Sequence, residues 1–178
     1  ELKKNFPPYV KLHIQLISQT NNLVLLKKMI KKYWHNNPNQ ILRSAITDLI
    51  VKNKLDNMDF INQVIKNNSN DDESKKLFIF FSIRNKNWET AREKILGLIG
   101  SNPSKEVCIF MSDIELGENG DKQKSDAWIM RAQNAIADHI WICKISNQGQ
   151  NDWSVLSDSG HFNSLIWMRP KMLNTNIN

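Results

Sequence analysis

The sequence predicts an α+β or α/β protein, in which a basic helical N-terminal part precedes a mixed β-sheet flanked by helices. Two apolar runs, residues 77–83 and 107–116, carry most of this prediction. The first is too continuous for a strand with one solvent-exposed face, and strands that are buried on both faces have this composition. A stretch with helical periodicity, residues 88–99, lies between them, so the three segments form a βαβ pattern.

The rest of the C-terminal part extends this pattern to the order β-α-β-α-β-β-β. A helix is predicted over residues 127–137 and a third strand over residues 140–145. Later turn residues and a final apolar run at 162–168 predict hairpins, so the sheet should contain antiparallel pairs as well. The hairpins carry Trp153 and Trp167, and exposure of these side chains would provide a docking edge for another protein.

Short helices are predicted throughout residues 1–70. The clearest covers residues 23–34, where apolar side chains recur every three to four positions and lysines occupy the opposite side. Further helices are expected at residues 40–52, after a capping Asn39, and from Asp56 or Asn57 through Lys66. Such a series is typical of a helix-turn-helix arrangement and equally of any small helical bundle.

A polar stretch at residues 67–74 contains no apolar side chain and predicts a linker or long loop. The charge balance changes at the same place. Residues 1–70 carry 11 Lys and Arg against 4 Asp and Glu, whereas the remaining residues carry 13 against 14. We therefore expect a basic helical part at residues 1–70 and an α/β part at residues 71–178.

The net charge of +6 is thus concentrated in the first part, which favours an acidic partner and most often nucleic acid. The leading hypothesis is a DNA-binding or other nucleic-acid-binding accessory protein, serving replication or a mobile element. A lysine-rich side of a helix is equally the solvated face of an ordinary helix. The residues expected to contact phosphates are Lys27, Lys28, Lys31, Lys32 and Arg43.

Asp113 and Glu115 form a second candidate site, at the end of a predicted strand. Two residues apart on a strand, they would project from one face, where paired carboxylates can bind Mg²⁺ together with substrate phosphates. The acid-x-acid triplet at 113–115 and the Ser-x-His triplet at 159–161 resemble, over these six residues, the paired motifs of archaeo-eukaryotic primases. That resemblance implies a nucleotidyl-transfer or phosphodiester enzyme with the carboxylates on the metal and His161 on the incoming nucleotide.

Several other classes are disfavoured by the sequence. No apolar run approaches the roughly 18 residues that cross a bilayer, so no membrane partner is expected. Glycine-rich phosphate loops, dinucleotide-binding fingerprints and nucleophile elbows do not occur, which argues against a P-loop NTPase, a Rossmann dehydrogenase or an α/β-hydrolase. Cys108 and Cys143 lie in apolar runs and are expected to be buried free thiols, which favours the reducing cytoplasm.

Overall fold

The structure is a computed structural model that describes residues 6–100 and 102–170. In these residues, eight helices are followed by a small sheet of three strands. The helices are α1 (Pro7–Gln19), α2 (Leu23–Asn36), α3 (Gln40–Lys52), α4 (Met58–Ile65), α5 (Asp72–Arg84), α6 (Trp88–Leu96), α7 (Lys105–Asn119) and α8 (Lys122–Gln133). The strands are β1 (Ile140–Cys143), β2 (Gly149–Gln150) and β3 (Leu165–Met168).

The sheet has the order β2-β1-β3, and β1 pairs antiparallel with both neighbours. Trp141 in the central strand lies opposite Trp167 on one side and Gln150 on the other. The predicted α+β class holds in this coarse form. The predicted mixed sheet and the order β-α-β-α-β-β-β are wrong, because the structure differs in both the number and the order of strands.

The two long apolar runs form helices and not strands. Residues 77–83 lie in α5, and residues 107–116 lie in α7. Asp71 caps the N-terminus of α5. Its side-chain carboxylate accepts hydrogen bonds from the backbone N–H groups of Glu73 and Ser74. The polar stretch that suggested a linker therefore includes the N-terminus of α5.

The continuous apolarity of α5 follows from its position between two cores. The first core is built from α1 to α5 and includes Leu77, Phe78 and Phe81. The second core is built mainly from α5, α6 and α7 and includes Ile79. A helix that is buried on more than one side loses the apolar stripe that identifies an amphipathic helix.

The predicted N-terminal helices are confirmed as α2, α3 and α4. Each begins at an asparagine whose side-chain oxygen accepts a hydrogen bond from the backbone N–H three residues on: Asn22, Asn39 and Asn57. The division of the chain at residue 70 stays a prediction, and the first core contains side chains from both sides of that position. Among the described helices, none has both the length and the apolarity that crossing a bilayer requires.

Candidate functional site

Helix α2 combines a deeply buried face with a cationic one. It carries four lysines and no acidic residue. Leu26, Ile30 and Trp34 fix its rotation, since all three are almost completely buried in the first core. The Trp34 indole N–H also donates a hydrogen bond of 2.9 Å to the hydroxyl of Ser74 on α5. The lysines are therefore held on the outer side of a firmly packed helix.

The four lysines divide into two pairs. Lys27 and Lys31 are half-buried and lie towards α4. The Lys27 ammonium is 5.6 Å from the centre of the Phe60 ring. The Lys31 ammonium donates a 3.3 Å hydrogen bond to the side chain of Gln63. Lys28 and Lys32 are exposed and lie one helical turn apart. In the part of the chain that the structure describes, none of the four belongs to an ion pair.

Arg43 does not lie with these lysines on the surface. It is only 7% exposed, its Nε donates to Glu73 on α5, and its Nη2 donates to Glu106 on α7, both at 2.7 Å. Lys76 completes the network at 3.0 Å from Glu73 and 3.5 Å from Glu106. Burial raises the pKa of the Glu73 carboxyl, but the attraction and hydrogen bonds of Arg43 and then Lys76 together outweigh it and the pKa is lowered. The predicted phosphate contact by Arg43 is thus replaced by a structural ion-pair network.

Asp113 and Glu115 lie on α7 and do not share a face. Two positions on a helix are separated by about 200° around its axis, whereas two positions on a strand point the same way. Glu115 is 6% exposed and forms an ion pair of 2.9 Å with Arg92. The Arg92 guanidinium forms a second ion pair, of 2.6 Å, with Glu118. The hydrogen bond from Arg92 lowers the pKa of the Glu115 carboxyl, while Asp113 is exposed on the other side.

His161 lies in the loop before β3, within a cluster of serines. Its Nδ1 is 3.2 Å from the Ser159 hydroxyl, and its backbone N–H donates to the Ser157 hydroxyl at 3.0 Å. Ser164 donates to the His161 carbonyl and lies 3.2 Å from the buried Cys143 thiol. These bonds fasten the loop to β1, and the structure does not place His161 in hydrogen-bond contact with the acidic residues of α7.

A metal site does not emerge from these carboxylates. Within residues 6–100 and 102–170, no cluster of three or more His, Cys, Asp or Glu side chains could hold a metal ion. Cys108 and Cys143 are both free and buried, as predicted. The Mg²⁺-dependent enzyme therefore stays a prediction that no contact in the structure supports.

A cleft of about 590 Å³ separates α1 and α3 from the sheet and was not expected from the sequence. Five of the side chains that line it are aromatic: Tyr9, His139, Trp141, Trp153 and Trp167. Trp141 and Trp167 have ring centroids 5.1 Å apart, as their opposed positions on β1 and β3 require. Trp153 lies edge-to-face against Tyr9 at 5.8 Å.

Polar contacts connect the two walls of this cleft. Lys11 on α1 forms an ion pair with Asp152 in the loop after β2. The Gln40 amide on α3 donates to the His139 carbonyl at 3.4 Å. Trp153 and Trp167 are half-buried and face this cleft. Their predicted use as a docking edge for another protein stays a prediction.

No protein-family model, no curated protein and no solved structure matches this chain. Two features of the structure are candidates for function, the cationic face of α2 and the aromatic cleft.

Proposed function

We propose that this protein binds nucleic acid through the lysine face of α2, as an accessory protein of replication or of a mobile element. The observation that carries the proposal is the position of four lysines on one helix that has no acidic residue, with none of the four in an ion pair among the described residues. Ammonium groups that are not already neutralised by carboxylates can replace the counterions of a phosphate backbone.

Lys28 and Lys32 make the central contacts in this proposal. Four residues of an α-helix rise about 6 Å, so both ammonium groups can reach phosphates of one strand at the same time. Lys27 and Lys31 flank them and are partly restrained by Phe60 and Gln63. Backbone contacts of this kind position a protein on nucleic acid without reading its sequence, so we expect binding with little sequence preference.

The cytoplasm is the compartment that we propose for this function. Both cysteines are free, and free thiols persist where the environment is reducing.

The test is a double charge reversal with a matched control. The variant Lys28→Glu/Lys32→Glu should bind a fluorescent oligonucleotide more weakly, with anisotropy as the readout. The slope of log affinity against log salt should become less steep by about 2, since each lost phosphate contact removes about 1.

The control reverses two exposed lysines elsewhere, Lys122→Glu/Lys144→Glu, with the same change in net charge. If long-range attraction alone explains binding, both variants lose the same affinity and the same slope. That result, or no binding by the parent protein at low salt, would overturn the proposal.

A further inference from the structure

We infer that the aromatic cleft receives an unpaired nucleobase, so that the preferred ligand is a single strand and not a duplex. This inference rests on the proposed function, because a base reaches the cleft only if the protein binds nucleic acid. It adds a second site, on the opposite side of α1 from the first core, with its own ligand chemistry.

The size and walls of the cleft fit a planar ring. Its volume of about 590 Å³ lies within the range of small-ligand sites and exceeds the needs of one base. Trp167 is nearly parallel to His139, with ring planes 18° apart and centroids separated by 6.3 Å. Trp141 is tilted by 59° against Trp167, and Trp153 stands at 84° to Tyr9. Tyrosine and tryptophan rings offer stacking surfaces that every base can use, since all bases have a flat π-face.

The charges of the cleft favour a base over a phosphate. Lys11 is the cationic side chain of the wall, and its ion pair with Asp152 neutralises it. A phosphate placed here would meet a carboxylate beside the ammonium group. A neutral ring with polar edges meets no such repulsion.

Polar side chains without a protein partner supply the hydrogen bonds that a base edge needs. Gln15, Ser44 and Asn151 line the cleft, and none of their side chains forms a hydrogen bond with another described residue. Amide groups both donate and accept, which matches the mixed edges of nucleobases. The cleft thus combines stacking surfaces with unpaired donors and acceptors.

The experiment compares a thymine oligonucleotide with an abasic strand of the same length and charge. The parent protein should bind the thymine strand at least about tenfold more tightly, with quenching of tryptophan fluorescence. Trp167→Leu should lose most of that preference and leave binding of the abasic strand unchanged. Trp128→Leu is the matched control, because Trp128 lies on α8 and does not line the cleft.

A second variant keeps the test decisive if Trp167→Leu disturbs the sheet. Gln15→Glu changes one polar atom of the lining and should weaken binding of the thymine strand alone, whereas Gln19→Glu on the same helix adds the same charge outside the cleft.

Equal binding of thymine and abasic strands by the parent overturns the inference and leaves the lysine proposal standing. A base preference that survives Lys28→Glu/Lys32→Glu with unchanged affinity supports the cleft and removes the lysine proposal. Quenching by a neutral oligosaccharide, but not by the thymine strand, would assign the cleft to another ligand.

Discussion

Arg43 and the lysines of α2 are both cations of the N-terminal helices, and the structure uses them in opposite ways. Arg43 is enclosed by Glu73 and Glu106, which come from α5 and α7. Lys28 and Lys32 point into solvent with no carboxylate on their own helix. The count of positive charges in residues 1–70 treats these cations alike. Only the unpaired ones are available to a polyanion, so what matters for binding is where the compensating acids lie.

Replacing Arg43 should lower the free energy of unfolding more than replacing any lysine of α2. Arg43→Met leaves two part-buried carboxylates with Lys76 alone to compensate them, and removing one partner of a buried ion pair is strongly destabilising. We expect a loss of about 3 kcal/mol in the free energy of unfolding. Urea denaturation measures it, and Lys28→Met is the matched control, because an exposed substitution should stay within about 0.5 kcal/mol. Similar losses for the two variants would remove the distinction between them.

The ion pair between Arg43 and Glu73 should also make the stability of the parent protein depend on pH. The pKa of Glu73 is lowered in the native state, because Arg43 and, to a smaller extent, Lys76 outweigh the burial that raises it. Between that value and the unfolded value of about 4.3, the unfolded chain binds more protons, so stability rises with pH. The contribution of Glu73 should therefore be complete above about pH 5 and be lost as the pH falls through the native pKa.

The measurement is the unfolding free energy of the parent and of Arg43→Met between pH 3 and pH 7. The difference between them should shrink as the solution becomes more acidic, because a protonated Glu73 no longer needs its partner. A difference that stays constant over this range would contradict the assignment of the lowered pKa to Arg43.

Two lysines of α2, Lys27 and Lys28, should differ slightly in what they contribute to stability. Lys27→Ala removes the ammonium group above Phe60 and should cost about 0.5–1 kcal/mol, as exposed cation–π contacts do. Lys28→Ala removes a side chain in solvent and should change stability by less. Thermal unfolding of the two variants provides the check, and an equal shift in Tm would mean that the Phe60 contact contributes nothing.

Local patterns of the sequence were sufficient for α2, α3 and α4. Their apolar positions recur at helical spacing, and Asn39 provides a readable cap. The same rules were misleading for α5, whose run contains residues for two different cores: Leu77 and Phe81 for the first, Ile79 for the second. Continuous burial removes the periodicity that separates a helix from a strand. The remaining local signal was the Asp71 cap with acidic residues after it, and it lay in a stretch that reads as a linker.

The candidate sites depended on contacts that are distant in the chain. Arg43 and Glu106 are separated by 63 residues, so no local pattern shows that they meet. The error at Asp113 and Glu115 followed directly from the wrong secondary structure, because a helix turns them apart. The cleft joins Tyr9 to Trp153 across most of the chain. The Trp141–Trp167 pair follows from the register of β1 against β3, and the sequence does not show that these two strands are neighbours.

The position of α5 has a consequence for cooperativity. Because it supplies a wall to each core, neither core keeps its full set of apolar contacts when this helix is displaced. Loss of either core therefore exposes apolar surface in the other. One shared helix thus couples the melting of two packed regions into a single event, although α8 and the sheet contribute little to the first of them.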